Sequence, residues 1–117
     1  MADFKELLGK TLVFVYVRKN KGDDFIEFFC SDGSKYKMRH YRDCCEEVYI
    51  EDINGDINDI IGNPITLAEE VIKPECADEI NQTYTFYKLA TIKGYVDIRW
   101  YGTSNGYYSE TVDFLKK

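Results

Sequence analysis

Apolar residues along this chain gather in short runs separated by turn chemistry, and their spacing changes from run to run. At the start, Phe4, Leu7 and Leu8 recur at helical spacing between Asp3, a capping residue type, and Gly9. This predicts one amphipathic turn, a short helix or helical lead-in. From Thr11 to Val17 the run Leu12-Val13-Phe14-Val15-Tyr16-Val17 is apolar on both faces. Such a run predicts a strand covered on two sides or packed at an oligomer interface, and central in its sheet. Arg18 to Asp23 is turn chemistry and Phe25 to Cys30 a returning strand, after which Ser31-Asp32-Gly33-Ser34 turns a hairpin into a third strand over residues 35 to 41.

Val48-Tyr49-Ile50 reads as another strand. Asp56-Ile57-Asn58-Asp59-Ile60-Ile61-Gly62 then offers a cap, three isoleucines and a glycine stop, which predict one or two helical turns. Residues 65 to 72 satisfy neither period cleanly and are read as strand, with Lys73 to Gln82 as a polar loop. Thr83 to Ile92, Val96 to Tyr101 and Tyr107 to Phe114 are β-rich, joined by Lys93-Gly94 and by Thr103-Ser104-Asn105-Gly106, the stronger hairpin signal. In the middle run Val96, Ile98 and Trp100 point one way and Asp97, Arg99 and Tyr101 the other. The fold class is therefore mainly β (α+β). A mostly antiparallel sheet folds over itself as a sandwich or partial barrel, one or two short helices close an end, and residues 1–117 make a single domain.

Composition supports that outline, because 15% aromatic residues suit pleated, half-buried surfaces and 117 residues with 44% hydrophobic content make one domain with a thin core. The first residues carry acids and lack the apolar run of a secretion signal, and no segment approaches the ~20 apolar residues of a membrane span. A soluble, intracellular protein with reduced cysteines and no membrane partner is expected.

Charge changes the picture more. The chain carries a formal net charge of -6, yet Lys35-Tyr36-Lys37-Met38-Arg39-His40-Tyr41-Arg42 holds four fixed cations, the only histidine and two tyrosines. Any anion would be met at a local positive site against a repulsive overall field, which suits a small enclosed ligand and opposes a nucleic-acid polymer. Alternation places Lys37, Arg39 and Tyr41 on one face and Tyr36, Met38, His40 and Arg42 on the other. Cations can meet phosphate there while a tyrosine ring stacks on a base. The same strand can equally just neutralise acidic neighbours such as Glu46, Glu47, Glu51 and Asp52. Arg99 and Tyr101, beside Asn105-Gly106-Tyr107-Tyr108, form a second aromatic and cationic group, suited to recognition at a hairpin tip or to ordinary cross-strand packing.

Asp52-Ile53-Asn54-Gly55-Asp56-Ile57-Asn58 alternates oxygen-bearing side chains, but Ile57 stands where a calcium loop needs glycine and Asn63 where it needs glutamate, so a capped helix start is expected. Cys30, Cys44, Cys45, Cys76 and His40 lack zinc-ligand spacing. No metal or cofactor is called for. With one histidine, no glycine-rich elbow and no phosphate loop, the chain reads as a binding protein and not an enzyme.

The stretch from Met38 through Ile53, with Gly62-Asn63-Pro64-Ile65, Ala68-Glu69-Glu70, Thr85-Phe86-Tyr87-Lys88 and Ile98 through Tyr108, resembles a family of small proteins encoded by tailed bacteriophages and prophages. That resemblance spans nearly the whole chain and carries no catalytic residues with it. It implies a phage accessory protein in the host bacterial cytoplasm, of a kind that often counters host immunity. One such strategy is a homo-oligomer that sequesters a small nucleotide signal, such as a cyclic dinucleotide or an ADP-ribose derivative. In that reading Arg39, Arg42 and Arg99 contact phosphate, Tyr41, Tyr101 and Tyr107 stack, and His40 or Asn105 bonds base or ribose, all in one niche. The alternative is an acidic inhibitor that occludes a host defence protein through Glu46, Glu47, Glu51 and Asp52, as a nucleic-acid mimic does.

Overall fold

The computed structural model describes residues 2–20, 22–42, 46–77, 80–104 and 110–117. Eight strands run as β1 (Leu12–Arg18), β2 (Phe25–Cys30), β3 (Lys35–Arg39), β4 (Glu47–Asn54), β5 (Leu67–Ala77), β6 (Ile80–Thr91), β7 (Gly94–Ser104) and β8 (Asp113–Lys116). They form two four-stranded antiparallel sheets, ordered β1-β2-β3-β8 and β4-β7-β6-β5. The expected β sandwich is what the chain builds.

Period-2 alternation decides what lies between the sheets. Ile26, Phe28, Tyr36, Met38 and Phe114 from the first sheet meet Ile50, Tyr87, Leu89, Val96, Ile98 and Trp100 from the second, all buried. Trp100 joins the two layers directly, its indole N–H donating to the Met38 sulfur at 3.1 Å. Phe4 closes one end, its ring 4.7 Å from Tyr87 and 5.2 Å from Phe114. It is held there by a single 3-10 turn, Phe4–Leu7, in which Asp3 accepts from the Lys5 amide at 2.9 Å and Glu6 from the Asp3 amide at 3.1 Å. The second predicted helix is likewise one 3-10 turn, Ile57–Ile60, capped by Asp56, so the calcium-like segment is a capped turn.

Three expectations about the strands change. β1 is an edge strand, with Val13, Phe14 and Tyr16 exposed by 55%, 53% and 43%. Its second apolar face packs sideways, Phe14 against Phe29 at 5.6 Å and Tyr16 against Phe25 at 5.8 Å, instead of under a covering layer. Residues 73 to 77 are strand, not loop, because Lys73, Pro74 and Glu75 pair in register with Tyr84, Thr83 and Gln82. Pro74 is tolerated since β5 lies at the sheet's border. Finally β8 does not return along β7. β7 already has β4 and β6 on its two sides, so the chain crosses to the other sheet and β8 pairs with β3, Met38 opposite Phe114.

One turn is tightly determined. Gly55 sits at φ +103°, and a β-carbon there would lie 2.4 Å from the Tyr95 carbonyl oxygen, whereas Gly62, at φ +90°, has open space around it. Gly62→Ala should therefore cost only the left-handed backbone penalty of ~1–2 kcal/mol. Gly55→Ala should cost clearly more, because fixed backbone must also move. Urea unfolding of the two variants side by side measures the difference.

Candidate functional site

The first hairpin turn, the residues after β3 and the border strand β4 enclose a cavity of about 350 Å³. It lies at the lower end of the ~300–1,000 Å³ usual for small-ligand sites. Lys19, Gly22 and Asp24 come from the turn, His40 and Arg42 from the chain leaving β3, and residues 46–50 from the border. The turn is there because Gly22, at φ +83°, allows the reversal and Asp24 pins it. The Asp24 carboxylate is buried and accepts from the Asn20 amide at 2.8 Å and from the Ile50 amide at 2.9 Å, tying the first sheet's hairpin to the second sheet's edge.

His40 is committed to the wall. Its Nδ1 lies 2.6 Å from the Thr111 carbonyl oxygen and its Nε2 3.1 Å from Glu46 Oε2, and the Glu46 side chain is only 1% exposed. Both acids deep in the cavity are thus already satisfied. Arg42 is exposed, and its Nη1 reaches toward the turn, 3.5 Å from where a Gly22 β-carbon would be. Among the described residues neither Arg42 nor Lys19 has a carboxylate partner. The Tyr49 ring forms the outer lip, packed against Tyr101 at 5.7 Å. Burial, with Glu51 beside it, pushes the Tyr49 phenol up from its ordinary value, so it stays protonated and able to donate.

Within one chain the expected single niche does not form. Met38 and Trp100 face each other across the core, so their sequence neighbours Arg39 and Arg99 project from opposite outer faces of the sandwich. Arg39 is taken up by Asp23 at 3.0 Å and by the Tyr41 ring at 4.5 Å, while Arg99 Nε lies 2.8 Å from Glu51. Tyr101 packs edge-on or tilted between Tyr49 and Tyr84 on the second sheet's outer face. Of the eight candidate residues, His40 and Arg42 line the cavity and Tyr101 touches its lip, whereas Asn105 and Tyr107 lie outside the described residues. The acidic segment is also divided, because Glu46 is buried against His40 and Glu51 is paired with Arg99. The sequence reading missed Lys19, Asp24 and Tyr49. The signal for Lys19 was present in Arg18-Lys19-Asn20-Lys21-Gly22-Asp23, a second cationic cluster on a glycine turn.

Over residues 5–114 the chain matches one protein family, described as a domain of unknown function (DUF7448). The chain belongs to that family. The DUF7448 match runs from the first 3-10 turn into β8, so the family unit takes in both sheets and the cavity. Neither the curated proteins nor the solved structures contain a match. Among the described residues of this DUF7448 chain, no helix is long and apolar enough to cross a membrane and no group of His, Cys, Asp and Glu could hold a metal ion. Cys30 is buried, and Cys44, Cys45 and the side chain of Cys76 lie outside the described residues.

Proposed function

We propose that the cavity between the first hairpin turn and β4 holds a small phosphate-bearing nucleotide, and that the protein acts by retaining it and not by transforming it. One observation carries the reading: Arg42 and Lys19 stand at the cavity without carboxylate partners among the described residues, while the acids inside, Asp24 and Glu46, are already used. An unspent guanidinium beside two buried acids that are already bonded favours an incoming phosphate, with the exposed Glu47 as the one lining carboxylate that opposes it among the described residues. Tyr49 supplies the ring for a base. A cavity of about 350 Å³ admits one nucleoside phosphate, and a cyclic dinucleotide would need a second copy to complete its enclosure. In biological terms this is a phage-type accessory protein in a bacterial cytoplasm that withholds a nucleotide signal from a host defence system.

A thermal-shift panel of AMP, cyclic AMP, cyclic di-GMP and ADP-ribose checks it. A ligand at ~100 times its Kd adds ~2.7 kcal/mol to stability, an upward shift in Tm of several degrees. Arg42→Ala should remove that shift for the ligand that produced it while leaving the unliganded Tm nearly unchanged, because Arg42 is exposed. Equal shifts in wild type and Arg42→Ala would reject the site, and no shift with any of the four would reject the ligand class.

A further inference from the structure

The outer faces of the two sheets carry opposite excess charge on the same aromatic texture. On the first sheet the outward positions hold Phe14, Tyr16, Phe25 and Phe29 with Lys35, Lys37 and Arg18 set over the rings. Lys37 Nζ is 4.1 Å from the Phe25 centroid, Arg18 5.7 Å from the same ring and Lys35 5.6 Å from Phe29. Among the described residues none of these three cations has a carboxylate partner, unlike Arg39 with Asp23 and Lys117 with Glu27. Burial first, then the neighbouring Lys117 and Arg39 charges, lowers the Lys37 pKa, with Glu27 and Asp23 opposing them.

On the second sheet, beside Tyr49 at the cavity's edge, the outward positions hold Tyr84, Phe86 and Tyr101. The carboxylates Glu47, Glu51, Asp52, Glu69, Glu75 and Asp97 outnumber the cations Lys73, Lys88 and Arg99, with Lys73 over the Phe86 ring, Lys88 opposite Asp97 and Glu69, and Arg99 paired with Glu51. Burial first, then Glu51 and Tyr101, raises the Tyr84 pKa, as expected on a negatively charged surface.

We infer that these two faces dock on each other between copies of the chain, the lysine-and-phenylalanine face of one copy against the carboxylate-and-tyrosine face of the next. The occupant is a second copy because one chain supplies both complementary surfaces. A nucleic-acid strand would match only one of them, and would bring a polyanion to a body of net charge -6. Four strands ~4.8 Å apart and about six residues long give each face roughly 15–20 Å by 20 Å, so the contact buries roughly 600–800 Å² in total, the size of a weak, transient association that complementary charge must help to hold. Because the two surfaces differ, the contact is head-to-tail and leaves one of each free, so association continues as a chain or closes as a ring. Exposed Phe14 and Tyr16 on the unpaired border of β1 are then covered in the assembly.

Neutral variants test this. Wild type should show a mass above monomer that grows with concentration and falls to monomer in 1 M salt. Lys35→Gln/Lys37→Gln and Asp52→Asn/Glu69→Gln should each be monomeric by themselves. Mixed in equal amounts they should give a one-to-one dimer and nothing larger, since each keeps one intact face of the complementary kind. Three results would overturn the inference: a wild type that stays monomeric at the highest soluble concentration, a variant whose mass distribution equals wild type, or a mixture that stays monomeric. Retention of a single-stranded oligonucleotide by wild type, lost in Lys35→Gln/Lys37→Gln without any change of mass, would also overturn it by assigning the face to nucleic acid. Nucleotide binding at the Arg42 cavity is read separately by thermal shift, so failure of either idea leaves the other standing.

Discussion

Trp100→Ala is expected to lower the free energy of unfolding by about 3–5 kcal/mol, the cost of emptying the space of a large aromatic side chain in a packed core. The indole is 1% exposed and spans the space between the sheets, donating its N–H to the Met38 sulfur, so little nearby backbone can collapse into the hole. Natural domains hold only ~5–15 kcal/mol in total, so this single change should bring the protein close to unfolding at 37 °C. Trp100→Phe separates the two contributions: it keeps most of the bulk and loses the donor, and should cost less than half as much. Urea unfolding followed by tyrosine fluorescence or circular dichroism reads both. Near-wild-type stability of Trp100→Ala would mean that the sheets do not depend on this contact.

Asp24→Ala should cost about 2–3 kcal/mol, because it strands the buried Ile50 N–H, worth ~1–3 kcal/mol without an acceptor, and leaves the Asn20 N–H, on an exposed residue, to find water at smaller cost. Asp24→Asn retains one acceptor oxygen and should lose roughly half of that. The local consequence matters more than the total. Without Asp24 the hairpin turn that carries Lys19 is no longer tied to β4, so the cavity loses one wall. Asp24→Asn, the better folded of the two, should therefore bind weakly any nucleotide that wild type retains, although residue 24 has no free oxygen to offer a ligand. Wild-type affinity in Asp24→Asn would show that the turn is held in place by other contacts.

Most strands were legible because each carries its own local signal. β3 and β7 alternate cleanly, β2 is an aromatic-rich apolar run between turns, and the Asp3 and Asp56 caps are short-range devices that need no tertiary partner. β1 was legible as a strand and misplaced in its sheet. An apolar second face reads the same whether another layer covers it or neighbouring rings such as Phe29 and Phe25 flank it at a border. The segment from Lys73 to Ala77 was hidden because its own residues, Lys, Pro, Glu, Cys and Ala, have little strand preference; β6 holds them in register from across the ladder.

The candidate site was legible in its chemistry and not in its geometry. Eight consecutive residues marked the cationic stretch, but an alternating strand sends its neighbours in opposite directions. Arg39 went to an outer face and a carboxylate, while His40 and Arg42, past the end of β3, turned into the cavity. What the amino-acid order determined alone was which residues are strand, turn or cap and that positive charge is concentrated locally, since these depend on periodicity and on bonds within a few residues. Only the tertiary structure decided that β8 leaves β7 for β3, that Asp24 reaches Ile50 in the other sheet, and that Arg39 and Arg99 lie back to back. Each of these depends on which strand edge remains free and on how two sheets stack, and both are properties of the assembled layers and not of any segment.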